Sequence, residues 1–144
     1  MIRASAPILT KVGVFYFGGN IMGNAFVTTT RLLNAATIAA SGSSTSSSID
    51  LRNIAQNGLF SIQLALTGDG TAKVEYLCSN NNSVFIEPAS ASDIVSGFTK
   101  TSGPGGDGKA FYAFEPEPCG FLKIKVTETG ASKAAVVTLD IAIQ

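Results

Sequence analysis

The chain has 144 residues and no His, so the commonest general base and the commonest metal ligand are both missing. Ser–His and Cys–His nucleophilic triads are thereby excluded, as are His-containing zinc sites. Ten carboxylates and two thiols remain. Glycoside hydrolysis needs two carboxylates at a defined separation, and any two of the ten could meet in space, so a two-acid hydrolase stays open but ranks last. Asp69, Asp93 and Asp107 fall in or near loops, and Glu115-Pro116-Glu117-Pro118 adds two more oxygen donors. Oxygen donors suit calcium, but nowhere do Asp and Asn alternate with the density of a calcium loop. Solvated turn carboxylates account for them, and no metal or cofactor is expected.

Three further motifs bear on binding. Gly103-Pro104-Gly105-Gly106-Asp107-Gly108-Lys109 satisfies the first seven positions of a phosphate-binding P-loop. The eighth is Ala110, where the chemistry needs a hydroxyl on magnesium, and Lys109 opens an aromatic strand rather than a helix. A glycine-rich connection between strands is expected instead. Asn81-Asn82-Ser83 is formally a glycosylation sequon, but with no secretory signal it reads as a turn. Sugar binding usually uses flat aromatic platforms. With no Trp, the candidates are Tyr16, Phe85, Phe98 and Phe111, each also explained by core or hairpin packing. A glycan site would be tested first at Phe85 or Tyr112.

Cys78 and Cys119 could pair if the fold brings them together, or serve as small core residues. Cys78 shares a strand face with Val74 and Tyr76, and without a signal peptide free thiols are expected.

The elements that must position these residues are strands. Phe60, Ile62, Leu64 and Leu66 alternate with Ser61, Gln63 and Ala65, which is period two. Val74, Tyr76 and Cys78 alternate with Lys73 and Glu75 after Gly68-Asp69-Gly70, and the two runs predict a hairpin. Ser79-Asn80-Asn81-Asn82-Ser83 is a second turn before Val84-Phe85-Ile86. Ala110, Tyr112 and Phe114 share one face opposite Phe111 and Ala113. Leu122, Ile124 and Val126 alternate with Lys123, Lys125 and Thr127, and Val137, Leu139, Ile141 and Ile143 close the chain in the same way. A slip of one residue would bury Lys or Asp, so register is well specified. The pattern predicts an all-β fold: an antiparallel β-sandwich, jelly-roll-like, with an extended N-terminal arm. Arg31–Ala40 is the one stretch with helical character, at marginal length. The Ser-rich segment 41–48 predicts a turn at Ser41–Ser44 and then a strand through Leu51.

Residues 1–35 form the expected arm and 36–144 the sandwich domain. In the arm Val12, Val14 and Tyr16 alternate with Gly13, Phe15 and Phe17, so a strand here carries apolar groups on both faces and needs cover on both. It serves either as cover for the core or as contact surface for another subunit. The expected interface residues are Val12, Val14, Phe15, Tyr16, Phe17, Ile21, Met22 and Phe26.

Net charge is zero, but unevenly placed. Residues 1–48 hold three bases and no acid, a net +3; residues 49–144 hold seven bases and ten acids, a net −3. Opposite halves could help copies pack, although ordinary fluctuation explains a difference of this size more simply. Neither half clusters Lys and Arg as a nucleic-acid patch does, and no nucleic-acid or membrane partner is expected. Pro7 and Lys11 interrupt the apolar run a signal peptide requires. Val12–Thr30 is uncharged over a nominal membrane span, but its Gly, Asn and Thr content belongs to strands and turns, so a soluble protein is expected.

One series of segments carries a family likeness: Thr37-Ile38-Ala39-Ala40-Ser41-Gly42-Ser43-Ser44, Ser48-Ile49-Asp50-Leu51, Gly58-Leu59-Phe60-Ser61-Ile62-Gln63, Glu75-Tyr76-Leu77-Cys78-Ser79, Asn82-Ser83-Val84-Phe85-Ile86-Glu87-Pro88 and Phe121-Leu122-Lys123-Ile124-Lys125-Val126-Thr127, before a last apolar strand. It resembles the small β-sandwich virion proteins of tailed bacteriophages, such as capsid decoration or cement proteins and related head or neck components. The likeness spans residues 36–144 and rests on strand and turn patterns, with no catalytic signature. It implies a non-enzymatic structural subunit of the virion, assembled in the host cytoplasm. The subunit would be a homo-oligomer, with a trimer favoured, bound to a shell of major capsid proteins. The alternative is a carbohydrate-binding or adhesin module of a phage tail or cell surface.

Overall fold

Alternation fixes which face each strand buries, and the computed structural model, which describes residues 26–55 and 57–144, places those faces against one another. Nine strands occur among the described residues: β1 (Thr28–Ile38), β2 (Ser43–Thr45), β3 (Ile49–Asp50), β4 (Phe60–Gly68), β5 (Ala72–Ser79), β6 (Val95–Phe98), β7 (Lys109–Phe114), β8 (Phe121–Glu128) and β9 (Ala135–Ile143). One sheet has the order β1-β9-β4-β7. The other has the order β2-β8-β5-β6, with β3 also pairing with β8. Every pairing is antiparallel. The pairs are nested: β1 with β9, β2 with β8, β4 with β7 and β5 with β6. A long ribbon rolled on itself gives this order, and it is the jelly roll the alternation predicts.

The core lies between the sheets. Ile62 and Leu64 of β4 and Val137 and Leu139 of β9 face Val74 of β5 and Leu122, Ile124 and Val126 of β8, all at 0% exposure. Aromatic rings close the two sides. Phe114 of β7 lies 5.5 Å from Phe60 in its own sheet and 5.7 Å from Tyr76 in the other. Tyr112 meets buried Phe98 edge-on at 6.1 Å. Tilted and edge contacts of this kind suit the ring quadrupoles.

Two local expectations are corrected. The runs around Gly68-Asp69-Gly70 do not form a hairpin, because β4 and β5 belong to different sheets. Both runs are apolar on one face only, and the connection rolls those faces together instead of pairing the edges. Gly70 makes the crossing possible: its N–H donates to Ala134 O at 3.0 Å, and a Cβ there would lie 2.7 Å from the Ala134–Ala135 backbone. Arg31–Ala40 is not helical either, since Thr28–Ile38 pairs with β9 along its length. Register shifts between Arg31 and Leu33 and between Leu33 and Ala36, with Ala35 at φ 50°, interrupt the two-residue alternation, so that Leu33 and Ile38, five positions apart, both turn inward.

The serine-rich segment makes its turn, with Ser41 at φ 61° and Gly42 N–H bonded to Ala39 O, and then supplies β2 and the short β3 in place of one continuous strand through Leu51. The boundary expected at residue 35 falls inside β1, so residues 28–35 belong to the sheet. Val12, Val14, Phe15, Tyr16, Phe17, Ile21 and Met22 lie outside the described residues. No described helix is long and apolar enough to cross a membrane.

Candidate functional site

The two outer faces of the sandwich differ in what covers them. In the β2-β8-β5-β6 sheet the chain between β5 and β6 pairs along the edge of β5 and sends side chains over the outer face. Ile86 bonds Cys78 in both directions, and the Ile94 N–H donates to Val74 O at 2.8 Å. Phe85 lies under the Lys123 ammonium at 4.3 Å, and Phe121 lies under the Arg52 guanidinium at 4.8 Å.

The β1-β9-β4-β7 sheet turns the polar half of its alternation outward, and its register lines up side chains from all four strands. One rung is Thr29, Ala142, Ser61 and Ala113; the next is Arg31, Asp140, Gln63 and Phe111. Four strands at the usual spacing span roughly 14 Å. The first rung is a floor of small side chains. The second holds a bidentate ion pair, with Arg31 Nε 2.7 Å and Nη2 2.9 Å from the Asp140 carboxylate, and ends in Phe111, 72% exposed. Asp140 holds the Arg31 guanidinium above its ordinary pKa by hydrogen bond and charge. An open groove of about 380 Å³ runs along these rungs. A second, of about 390 Å³, continues past Ala142 and Ala113 to Val27, Leu59 and Phe114. Val27 and Leu59 are 59% and 56% exposed. Phe26, the expected interface residue within the described part, is next to Val27 in sequence and 76% exposed.

The sugar-platform candidates separate clearly. Phe98 is buried in the core, Tyr112 faces inward against it, and Phe85 is half-buried under Lys123. Tyr16 lies outside the described residues. Phe111 is the one of these with an open ring. The choice of Phe85 or Tyr112 as the first test is therefore corrected to Phe111, which alternation places on the solvent face of an edge strand.

The carboxylates outside the groove either pair with a lysine or cluster. Asp69 pairs with Lys100, and Asp107 with its neighbour Lys109. Glu75, Glu87 and Asp93 bring ligand oxygens within 4.8 Å of one another. Here Lys73 Nζ stands 3.3 Å from Glu75 and 3.4 Å from Asp93, and Lys125 Nζ is 3.6 Å from the other Glu75 oxygen. Ammonium groups thus already supply the countercharge a cation would bring. Burial would push Glu75 up, but the hydrogen bond from Glu87 and the two lysines outweigh it and hold it low, while that same hydrogen bond, and then the Glu75 charge, push Glu87 up.

Glu128, which carries no motif, is the carboxylate the sequence reading missed. It is 2% exposed and accepts N–H bonds from Thr71 (3.0 Å), Ser41 (2.9 Å), Gly130 (2.7 Å) and Ala131 (2.9 Å). These donors hold its carboxyl down at about 2. The only sequence hint is its place at the end of an alternating strand before Thr129-Gly130.

The Gly103–Lys109 loop leads into β7, a strand, so the helix a P-loop needs is replaced as expected. Its amides are turned inward: Gly106 N–H bonds Gly103 O, Gly108 N–H bonds Ser102 O, and Gly108 O accepts from Leu66. Asn81 caps its own turn, accepting from Ser83 and Val84 N–H at 2.9 and 3.1 Å. Cys78 and Cys119 are free thiols whose sulfurs lie 2.8 Å apart.

Compared with known proteins, the chain matches no family model and no curated sequence.

Proposed function

We propose that the protein is a structural virion subunit, a capsid decoration, cement or related head or neck component that binds a shell of major capsid proteins. The outer face of the β1-β9-β4-β7 sheet carries this reading. Ser61, Ala113 and Ala142 form a floor that lets another sheet or shell approach closely. Phe111, Val27 and Leu59 supply exposed apolar area around it. Phe26 and Val27 also mark where residues 1–25 join the domain, so an apolar N-terminal segment starts beside the same face. Jelly rolls serve as viral shell domains and as lectins alike, so fold class by itself does not choose between them. The subunit is expected to be a homo-oligomer, with a trimer favoured.

The test is co-sedimentation with particles lacking the protein. The full chain binds at saturable stoichiometry. Deleting residues 1–25 leaves a folded domain, since β1 begins at Thr28, but reduces binding. Unchanged stoichiometry after truncation, together with unchanged binding of Phe111→Asp, ends this reading.

A second reading has its own observation. Phe111 ends a row of hydrogen-bonding groups, Arg31, Asp140 and Gln63, and an aromatic platform beside such groups suits a carbohydrate ring. It predicts saturable glycan binding lost in Phe111→Ala. A glycan array without hits removes it.

A further inference from the structure

Cys78 and Cys119 are 41 positions apart, yet the Cys119 Sγ lies 2.8 Å from the Cys78 Sγ. Both are held there by their surroundings. Cys78 sits near the end of β5, with its N–H and C=O both bonded to Ile86, and its Sγ contacts Glu117 O at 3.6 Å. Cys119 is followed by Gly120, whose N–H donates to Asn80 Oδ1 at 3.1 Å and whose C=O accepts from Leu51. The two sulfurs share an open cleft of about 430 Å³ with Val84, Ile86 and Pro88. A disulfide needs sulfurs at about 2.05 Å, so closure requires a movement of less than about 1 Å from this arrangement.

We propose that Cys78 and Cys119 form an intramolecular thiol–disulfide couple, closed by exchange with a small disulfide such as oxidised glutathione. Cys119, the more exposed of the two, takes the first step. Its thiolate attacks one sulfur of the small disulfide, forms a mixed disulfide and releases one thiolate. Cys78 then attacks the Cys119 sulfur, forms the internal bond and releases the second. The protein loses two electrons and two protons; the small disulfide gains both and leaves as two thiols. Burial, and then Cys119 beside it, push the Cys78 thiol up to about 12. The second step is therefore the slow one and speeds up with pH as thiolate accumulates. In a reducing cytoplasm the couple stays open; in an oxidising medium it closes. The bond would tie the segment before β8 to the end of β5 and enclose β6 and β7 in one covalent ring. This inference does not depend on the virion reading.

The reduced full-length chain is incubated with oxidised glutathione, alkylated and weighed intact. The expected product has lost about two mass units, carries no alkyl group and runs as a single chain. It unfolds about 5–15 °C higher than the reduced form. Cys78→Ser is expected to stop at a glutathione adduct on Cys119, and Cys119→Ser to react far more slowly. Two alkylatable thiols in the folded wild-type chain, a stable mixed disulfide there, or a covalent dimer would each overturn the proposal. These wild-type readouts decide the matter even if a serine variant does not fold.

Discussion

Glu128 accepts four backbone N–H bonds while almost wholly screened from water, and its donors come from three separate connections: the turn after β1, the β4–β5 crossing and the turn after β8. A carboxylate in this position acts as a knot between loops. Its pKa is about 2 in the folded protein, below the ordinary value of 4.5. The unfolded chain therefore binds the proton more readily. The stability this carboxylate contributes is complete above about pH 4.5 and is lost as pH falls toward 2. Asp50 is depressed to a similar value by its hydrogen bond to Arg52, but it is exposed, and solvent screens most of the effect. Glu128→Gln places an NH₂ group among four donors. It is expected to lower the thermal midpoint by on the order of 10 °C at pH 7 and to flatten the acid limb. Thermal melts from pH 7 to pH 2 check both; an acid limb as steep as that of the wild type would assign the loss to other carboxylates.

At the scale of elements, the fold depends on crossings as much as on strands. The Gly70 site has no room for a side chain, because the Ala134–Ala135 backbone lies against it. Gly70→Ala is expected to destabilise the protein by about 1–3 kcal/mol, measured as a lower denaturant midpoint at unchanged slope. Gly105→Ala, whose nearest neighbour would be the mobile end of Asp107 at 3.4 Å, is the milder control. The strands themselves were legible. Alternation in β4, β5, β8 and β9 names the apolar core residues correctly, down to Leu122, Ile124 and Val126 at 0% exposure, but not the buried Glu75 and Glu128. What misled were the irregularities. In β1 the Ala content of residues 31–40 suits a helix, and two register shifts remove the alternation that would mark a strand; a Gly-Asp-Gly connection suited to a hairpin instead carries the chain between sheets.

For the whole molecule, the described residues leave one outer face of the sandwich partly covered by side chains from the β5–β6 connection and the other largely uncovered. Phe111→Ala removes an exposed ring and is expected to change stability by less than about 0.5 kcal/mol, while weakening shell attachment. Light scattering on the full chain is expected to give a multiple of 14.8 kDa, with three copies favoured. A strictly monomeric chain that associates with no particle would remove the structural reading and leave the glycan-binding one to be tested. The partly legible site illustrates the same division of scale. Phe111 was recognisable as an aromatic on a strand, but so were Phe85 and Phe98, and only packing shows that the first is half-covered by Lys123 and the second buried.

The amino-acid order by itself determined the all-β class, the buried face of nearly every long strand and the exclusion of imidazole chemistry. These follow from side-chain type and a period of two, which are local properties. Tertiary structure alone decided which strands are neighbours. Pairing across more than a hundred residues brings Arg31 to Asp140, a rolled ribbon brings Cys78 to Cys119, and three distant turns converge on Glu128. Such contacts are set by how apolar faces close over a shared core, and no local pattern encodes the partner.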